Sequence, residues 1–152
     1  MPRTDTASLL IAAPASRIFR AFSGPGCMER WLPPEGMRGE MLEFDFREGG
    51  HFLLRLRYLD PQQAQGKTTA DTDEARVRIV KIVPDERIVQ VATFESDDPR
   101  FAGEMTGTWQ FTPTQGGTLV EVRCENVPDG IRAEDHADGL NSTLSNLARF
   151  VR

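Results

Sequence analysis

The C-terminal segment carries an apolar stripe with the period of a helix. Glu134 and Asp135 lie in its first turn and Arg149 and Arg152 in its last turn, an arrangement that complements the helix dipole. A single helix at one end of a chain must bury its stripe against another layer, so the preceding residues have to supply an apolar surface. The stripe recurs every three or four positions, as one side of a long amphipathic helix requires: Ala133, Ala137, Leu140, Leu144, Leu147 and Val151.

Upstream of this helix the apolar period is two, the spacing typical of half-buried strands. One run puts Leu42, Phe44 and Phe46 on one face, opposite Glu43, Asp45 and Arg47. The next run puts Phe52, Leu54, Leu56 and Tyr58 on one face, opposite Arg55 and Arg57. Short glycine-containing turns separate such runs, which favours antiparallel pairing. The chain is therefore predicted to be α+β, with one face of a curved antiparallel sheet gripping the C-terminal helix. Strands are predicted over 7–12, 41–47, 52–58, 75–83, 87–95, 105–113 and 118–127.

Two short helices are predicted between the first and second strands. Pro14 opens the first helix, at a position where its missing N–H costs nothing, and the Gly- and Pro-containing run 23–26 ends it. The second helix runs from Cys27 to Leu32 and stops at Pro33-Pro34. The polar stretch from Asp60 to Glu74 is predicted to be a long loop whose second half enters a strand.

Length, charge and cysteine content exclude several classes of protein. The 152 residues fit one domain, predicted to cover 1–152. A net charge of −5 and the lack of a basic run argue against nucleic acid or an anionic membrane as a partner. The apolar runs are too short to span a bilayer. Because no export signal is recognised, Cys27 and Cys124 are predicted to be reduced thiols in a cytoplasmic protein.

Six short segments of the sequence are informative when they are taken in the order in which they occur. They are Ile11-Ala12-Ala13-Pro14-Ala15 with Ile18-Phe19, Trp31-Leu32-Pro33-Pro34, Gly49-Gly50-His51-Phe52, Val83-Pro84-Asp85-Glu86-Arg87-Ile88-Val89, Gly117-Thr118-Leu119-Val120 and Asp135-His136-Ala137-Asp138-Gly139-Leu140. In this order they resemble the AHSA1-like family, the relatives of the activator of the Hsp90 ATPase in the START/SRPBCC superfamily. Many relatives have tryptophan where this chain has Leu140, which implies a differently shaped and less stacking-prone pocket.

The resemblance implies a Bet v 1-like, helix-grip fold. Such a fold has a seven-stranded antiparallel sheet, two short helices between the first two strands, and a long final helix that closes over a deep apolar cavity. The resemblance does not imply one activity. Members of the superfamily include small-molecule binders, polyketide cyclase-like enzymes, self-sacrificing resistance proteins and an Hsp90 co-chaperone domain.

The candidate ligand site is the apolar inner face of the sheet together with the facing side of the final helix. A mostly apolar pocket with a few polar groups is the usual form of a small-molecule site. Tyr58 and Trp109 add polar tips that need partners when they are buried. The alternative for each of these residues is a filled core. The predicted cavity residues are Phe44, Phe46, Phe52, Leu54, Leu56, Tyr58, Met105, Trp109, Phe111, His136, Leu140 and Leu144.

The two histidines do not form a metal-ligating pattern. His136 precedes Leu140 by four residues and is predicted to look into the cavity mouth; the alternative is a partly exposed histidine paired with a carboxylate. Alternation places His51 on the face opposite Phe52, in solvent. Neither histidine has a cysteine or a carboxylate at ligand spacing, so no metal and no cofactor are predicted.

Three functions stand as hypotheses. The first is non-enzymatic binding of a small hydrophobic or aromatic ligand between the sheet and the final helix. The second is a chaperone-like interaction with a protein partner through the outer face of the sheet, at Arg55 and Arg57. The third is a cyclase-like enzyme that transfers protons through His136 or Tyr58. Exposed strand edges in this fold also favour a homodimer.

Overall fold

A strand forms at each of the seven predicted positions, although several strand ends differ from the prediction. The computed structural model describes residues 3–60, 69 and 71–151. The helices there are α1 (Ala15–Arg20), α2 (Pro25–Trp31) and α3 (Ala133–Val151), with a 3-10 turn at Pro99–Phe101. The strands are β1 (Arg3–Ile11), β2 (Met37–Phe44), β3 (His51–Tyr58), β4 (Thr72–Val83), β5 (Arg87–Phe94), β6 (Met105–Thr114) and β7 (Gly117–Val127).

Most of the predicted 60–74 loop lies outside the described residues. The last part of that stretch, from Thr72 onward, belongs to β4, in agreement with the prediction that its second half enters a strand. None of the helices in the described part of the chain is long and apolar enough to cross a bilayer.

The strands form one seven-stranded antiparallel sheet in the order β1-β7-β6-β5-β4-β3-β2. Because Phe52 pairs with Val77 and Trp109 pairs with Val122, apolar side chains of neighbouring strands share the inner face. The long helix α3 packs on β1 and also contacts α1 and α2. The predicted α+β, helix-grip architecture is confirmed.

The second strand differs from its predicted boundaries and from its predicted facing. It begins at Met37 and ends at Phe44, and its pairing with β3 shifts between Met41 and Glu43. This β-bulge changes the facing of the residue between them, so Leu42 is exposed rather than on the inner face with Phe44. Simple alternation through residues 41–47 does not account for that extra residue.

The helix α3 buries a shorter stripe than the sequence predicts. Its buried residues run from Thr143 to Val151 and include Leu144 and Leu147. Ala133 and Ala137 are exposed and Leu140 is half-buried. The first turns therefore gain little from apolar burial and are held to the sheet by other contacts.

Four aromatic side chains interlock at the centre of the concave face. Phe22 and Trp31 come from the helical region between β1 and β2, and Trp109 and Phe111 come from β6. The Phe22 ring centroid lies 4.7 Å from that of Trp31, 5.0 Å from that of Trp109 and 5.5 Å from that of Phe111, all in edge-on geometry. The Trp31 Nε1–H donates to the Ala21 carbonyl at 2.9 Å. This cluster fills the space between the sheet and the helices with side chains.

Replacing Trp31 tests the contribution of that hydrogen bond. We expect both Trp31→Phe and Trp109→Phe to lower the free energy of unfolding, because both shrink a buried ring. Trp31→Phe should cost about 1 kcal/mol more, because it also leaves the buried Ala21 carbonyl without its donor. Urea denaturation of the two variants measures the difference. Equal losses of stability would show that the hydrogen bond contributes nothing.

Candidate functional site

An open groove of about 1580 Å³ lies along α3, from Asp135 to Arg149. One wall is the α2–β2 loop from Pro34 to Met37 together with Tyr58 at the end of β3. The other wall consists of the 3-10 turn at residues 99–101 and the segment that leads into α3. The helix contributes a polar strip to the groove: Asp135, Asp138, Gly139, Asn141, Ser142, Ser145, Asn146 and Arg149.

Three hydrogen bonds fix the first wall to α3. Ser142 Oγ accepts from the Glu35 backbone N–H at 2.8 Å, and Asn146 Nδ2 donates to the Pro33 carbonyl at 2.9 Å. Thr143 Oγ1 donates to the Leu32 carbonyl at 2.9 Å. The prolines that end α2 leave these backbone groups without helical partners, and the polar side chains of α3 supply partners instead.

The second wall depends on the close approach of Gly130 to the 3-10 turn. The Gly130 N–H donates to the Arg100 carbonyl at 2.7 Å. A Cβ atom at this position would lie 2.6 Å from the Phe101 ring and 2.9 Å from the Arg100 carbonyl oxygen. The position therefore requires glycine. Hydrogen bonds from Arg100 lower the pKa of the half-buried Asp98 carboxyl, so this wall contains an ion pair.

The pKa of the Tyr58 hydroxyl reflects the burial and the negative charges around it in the groove. Its side chain is half-buried, and burial is the main cause that raises the pKa of its hydroxyl above the usual value. The carboxylates of Asp73 and Asp135 raise the pKa further. A neutral phenol beside two negative charges is a hydrogen-bond donor and acceptor in a region of negative potential.

Acidic side chains of the groove outweigh its free cations. Among the described residues, Glu35, Asp135 and Asp138 have no cationic side chain within 4.0 Å. Arg100 is paired with Asp98 and Arg132 with Glu134, so among the described residues the one lining arginine without an acidic partner is Arg149, against these three carboxylates. The middle of the groove therefore favours neutral or cationic groups over anions.

The structure separates the predicted cavity residues into four groups. Tyr58 lines the groove. His136 is half-buried and pairs with Asp5. Five residues are fully buried in the core: Phe52, Leu54, Trp109, Phe111 and Leu144. Five more are partly buried and pack against that core: Phe44, Phe46, Leu56, Met105 and Leu140.

The predicted cavity residues of the core and the lining of the groove therefore have different surroundings. Leu144 packs inside the core with 1% of its surface exposed, whereas the groove is lined by polar residues of α3 from Asp135 to Arg149. Met37, Phe101 and Ile131, which supply apolar surface to the groove, were not predicted. A signal for the groove was present in the polar strip of α3, where Asp135, Asp138 and Ser142 recur at helical spacing. Such a strip is also the normal pattern of a solvated helix face.

His136 forms a cluster with Asp5 and Arg3. Its Nδ1 lies 2.6 Å from Asp5 Oδ2, and Arg3 donates two hydrogen bonds of 3.0 and 3.1 Å from Nε and one of 3.0 Å from Nη2 to the same carboxylate. Burial tends to raise the pKa of the Asp5 carboxyl, but the hydrogen bonds from Arg3 and His136 outweigh it and lower the pKa below its ordinary value. The alternative prediction for His136, a carboxylate-paired histidine, matches this arrangement.

The other polar predictions concern the outer face and metal binding. His51 lies on the outer face, where its Nε2 is 2.7 Å from Glu43 Oε1. Within the described ranges, no group of three or more His, Cys, Asp or Glu side chains is arranged to hold a metal ion. Cys27 and Cys124 are both free thiols, and burial raises the pKa of the Cys124 thiol to about 12.

Comparison with known proteins gives a family profile and several similar structures. The profile described as "Activator of Hsp90 ATPase homolog 1-like protein" matches residues 12–152. Protein CV1439 from Chromobacterium violaceum is 30% identical, with a TM-score of 0.85 over 97% of this chain and 96% of that chain. The Mll3558 protein from Rhizobium loti is 25% identical, with a TM-score of 0.75 over 99% and 97% of the two chains.

A third solved structure supports the fold alone. The AHSA1-like protein from Aeromonas hydrophila is 18% identical, with a TM-score of 0.73 over 98% of this chain and 92% of that chain. No curated protein matches the sequence at a significant level.

The lowered pKa of Asp5 predicts a pH-dependent contribution to stability. The carboxyl ionises at a lower pH in the folded chain than in the unfolded chain. Its contribution is therefore complete above the unfolded pKa, about 3.9 for an aspartate, and is lost as the pH falls through the folded pKa. We expect the stability difference between the wild type and Asp5→Asn to shrink between about pH 5 and about pH 2.

Urea denaturation at each pH measures that difference. The Asp5→Asn variant lacks the carboxyl, so the change of the difference with pH reports the ionisation of that group. A difference that stays constant, or grows, as the pH is lowered would mean that Asp5 is not stabilised in its ionised form.

Proposed function

Because the chain belongs to the Activator of Hsp90 ATPase homolog 1-like family, we propose that it is a START-like binding module that holds a small molecule in the groove beside α3. The observation that carries this proposal is the groove itself. Small-molecule sites commonly enclose about 300–1,000 Å³, so a groove of about 1580 Å³ has room for a ligand even though one side is open.

The lining favours a ligand with an apolar or aromatic body and polar substituents. Met37, Tyr58, Phe101 and Ile131 offer apolar surface to the body of such a ligand. The polar strip of α3 offers hydroxyl and amide groups to its substituents, and the Tyr58 hydroxyl can donate or accept a hydrogen bond. This description narrows the sequence-based hypothesis of a hydrophobic or aromatic ligand, because the fully apolar positions of the inner face are filled by the core.

The chaperone-like hypothesis receives less support from the outer face. Arg55 and Arg57, the residues proposed to meet an acidic partner, lie within 4.0 Å of Glu74 and Asp71. Arg76 and Arg78 on the neighbouring strand also have acidic partners. This surface therefore presents compensated charge, which attracts an acidic protein weakly.

The enzymatic hypothesis depends on His136 or Tyr58. An aspartate that holds one ring nitrogen of a histidine is an arrangement used in general base catalysis. His136, however, contacts Asp5 and is not part of the groove lining, while Tyr58 has a raised pKa that keeps it protonated near neutral pH. Binding without chemistry is therefore the function that the arrangement supports best.

A bulky side chain at Gly139 provides a direct test. Gly139 lines the groove, and a Cβ atom there would meet no other atom within 4 Å. We expect Gly139→Trp to fill the groove and to weaken binding of the neutral fluorescent probe N-phenyl-1-naphthylamine by about tenfold or more. A fluorescence titration of the probe with each variant gives its dissociation constant.

The matched control is Ala137→Trp, which adds the same side chain at an exposed position of α3 outside the groove lining. This control should bind the probe as the wild type does. Equal affinities of the wild type and both folded variants would refute ligand binding in the groove, because the added indole would then obstruct nothing.

A further inference from the structure

The start of α3 and the residues before it are held by polar contacts to β1 and by the half-buried side chains of Ile131 and Leu140. Its apolar stripe is buried only from Thr143 onward, while Ala133 and Ala137 face solvent. In the middle of the helix stands Gly139, which has open space around it and weakens the helix relative to alanine. The segment from Ile131 to Asp138 is therefore a short flap between Gly130, which is packed against Phe101, and the buried half of α3.

Two contacts tie this flap to β1. His136 Nδ1 lies 2.6 Å from Asp5 Oδ2, and both side chains are largely buried, with 13% and 14% of their surfaces exposed. Arg3 holds the same carboxylate and also donates from Nη2 to the Ile131 carbonyl at 2.6 Å. Arg3 and Asp5 thus form hydrogen bonds with Ile131 and His136, near the two ends of the flap's first turn.

The flap is also a wall of the groove. Ile131, Arg132, Asp135 and Asp138 line the groove from the flap, opposite Met37 and Tyr58. Asp135 is close enough to Tyr58 to raise the pKa of its hydroxyl. A displacement of the flap away from β1 would therefore change the width of the groove and the potential inside it.

We propose that the Asp5–His136 pair is a latch that holds the 131–138 flap closed and so controls access of a ligand to the groove. This inference rests on the proposed function for its ligand, but the motion of the flap can be measured without one. Local opening of a segment costs the free energy of the contacts that close it. Loss of one charge-assisted hydrogen bond should raise the open population by about tenfold.

Amide hydrogen exchange followed by mass spectrometry tests the latch. The reporting amides are those of residues 136–140, because the first amides of a helix have no intrahelical acceptor and exchange rapidly in any case. We expect Asp5→Asn and His136→Ala each to speed exchange at 136–140 by about tenfold while exchange at 143–151 stays as in the wild type. His136→Ala leaves the sheet unaltered, so it keeps the test valid if Asp5→Asn weakens β1.

The chain contains a matched control on its outer face. Glu43 and His51 form a carboxylate–histidine pair of 2.7 Å that touches neither α3 nor the groove. Glu43→Gln removes this pair and should leave exchange at 136–140 unchanged. The latch is refuted if Asp5→Asn and His136→Ala leave exchange at 136–140 unchanged, or raise it only together with exchange at 143–151.

Uptake of N-phenyl-1-naphthylamine in stopped-flow mixing separates the latch from the binding function. If both inferences hold, the two latch variants bind the probe at a higher association rate than the wild type and Glu43→Gln. If exchange at 136–140 rises as expected but no variant binds the probe, the flap and its latch stand and the binding function falls. If the probe binds every variant at one rate, the latch does not control access.

Discussion

The packing of Phe22 and Trp31 against Trp109 and Phe111 determines which part of the concave face is filled by side chains and where a groove remains. These side chains come from the helical region between β1 and β2 and from β6, and they meet in edge-on contacts of 4.7–5.9 Å. Because they occupy the concave face beside α1 and α2, the C-terminal half of α3 packs onto a filled core. The groove lies along the polar side of α3, between Asp135 and Arg149, and its walls combine apolar and charged side chains.

Sequence periodicity predicted the elements well because each depends on local spacing. Alternation identified β3, β6 and β7, and the four-three spacing identified α3. The bulge at Leu42 was missed because one extra residue in a strand leaves no mark in an apolar pattern. The family resemblance agreed with the elements predicted from periodicity, and the profile match over residues 12–152 establishes the family.

The candidate site was harder to predict than the fold. A period of two shows that Phe52 and Trp109 face inward, but it does not show how much inner volume Phe22 and Trp31 fill from the helical region between β1 and β2. Likewise, the polar strip of α3 has the same spacing whether it faces bulk water or a groove. Tyr58 was identified because it ends an inward-facing series, whereas Phe101 and Ile131 reach the groove through a turn and a loop that carry no periodic pattern.

The central claim is that a ligand binds in the groove between α3, the α2–β2 loop and the 3-10 turn, and not in the core beneath α3. A ¹⁵N–¹H NMR titration of the wild-type protein with N-phenyl-1-naphthylamine tests this claim most directly. We expect saturable shift changes to concentrate at residues 35–37, Tyr58, 100–101, 131–142, Ser145, Asn146 and Arg149, which line or adjoin the groove. Changes centred instead on Trp109, Phe111 and Leu144 would place the ligand in the core and contradict the account.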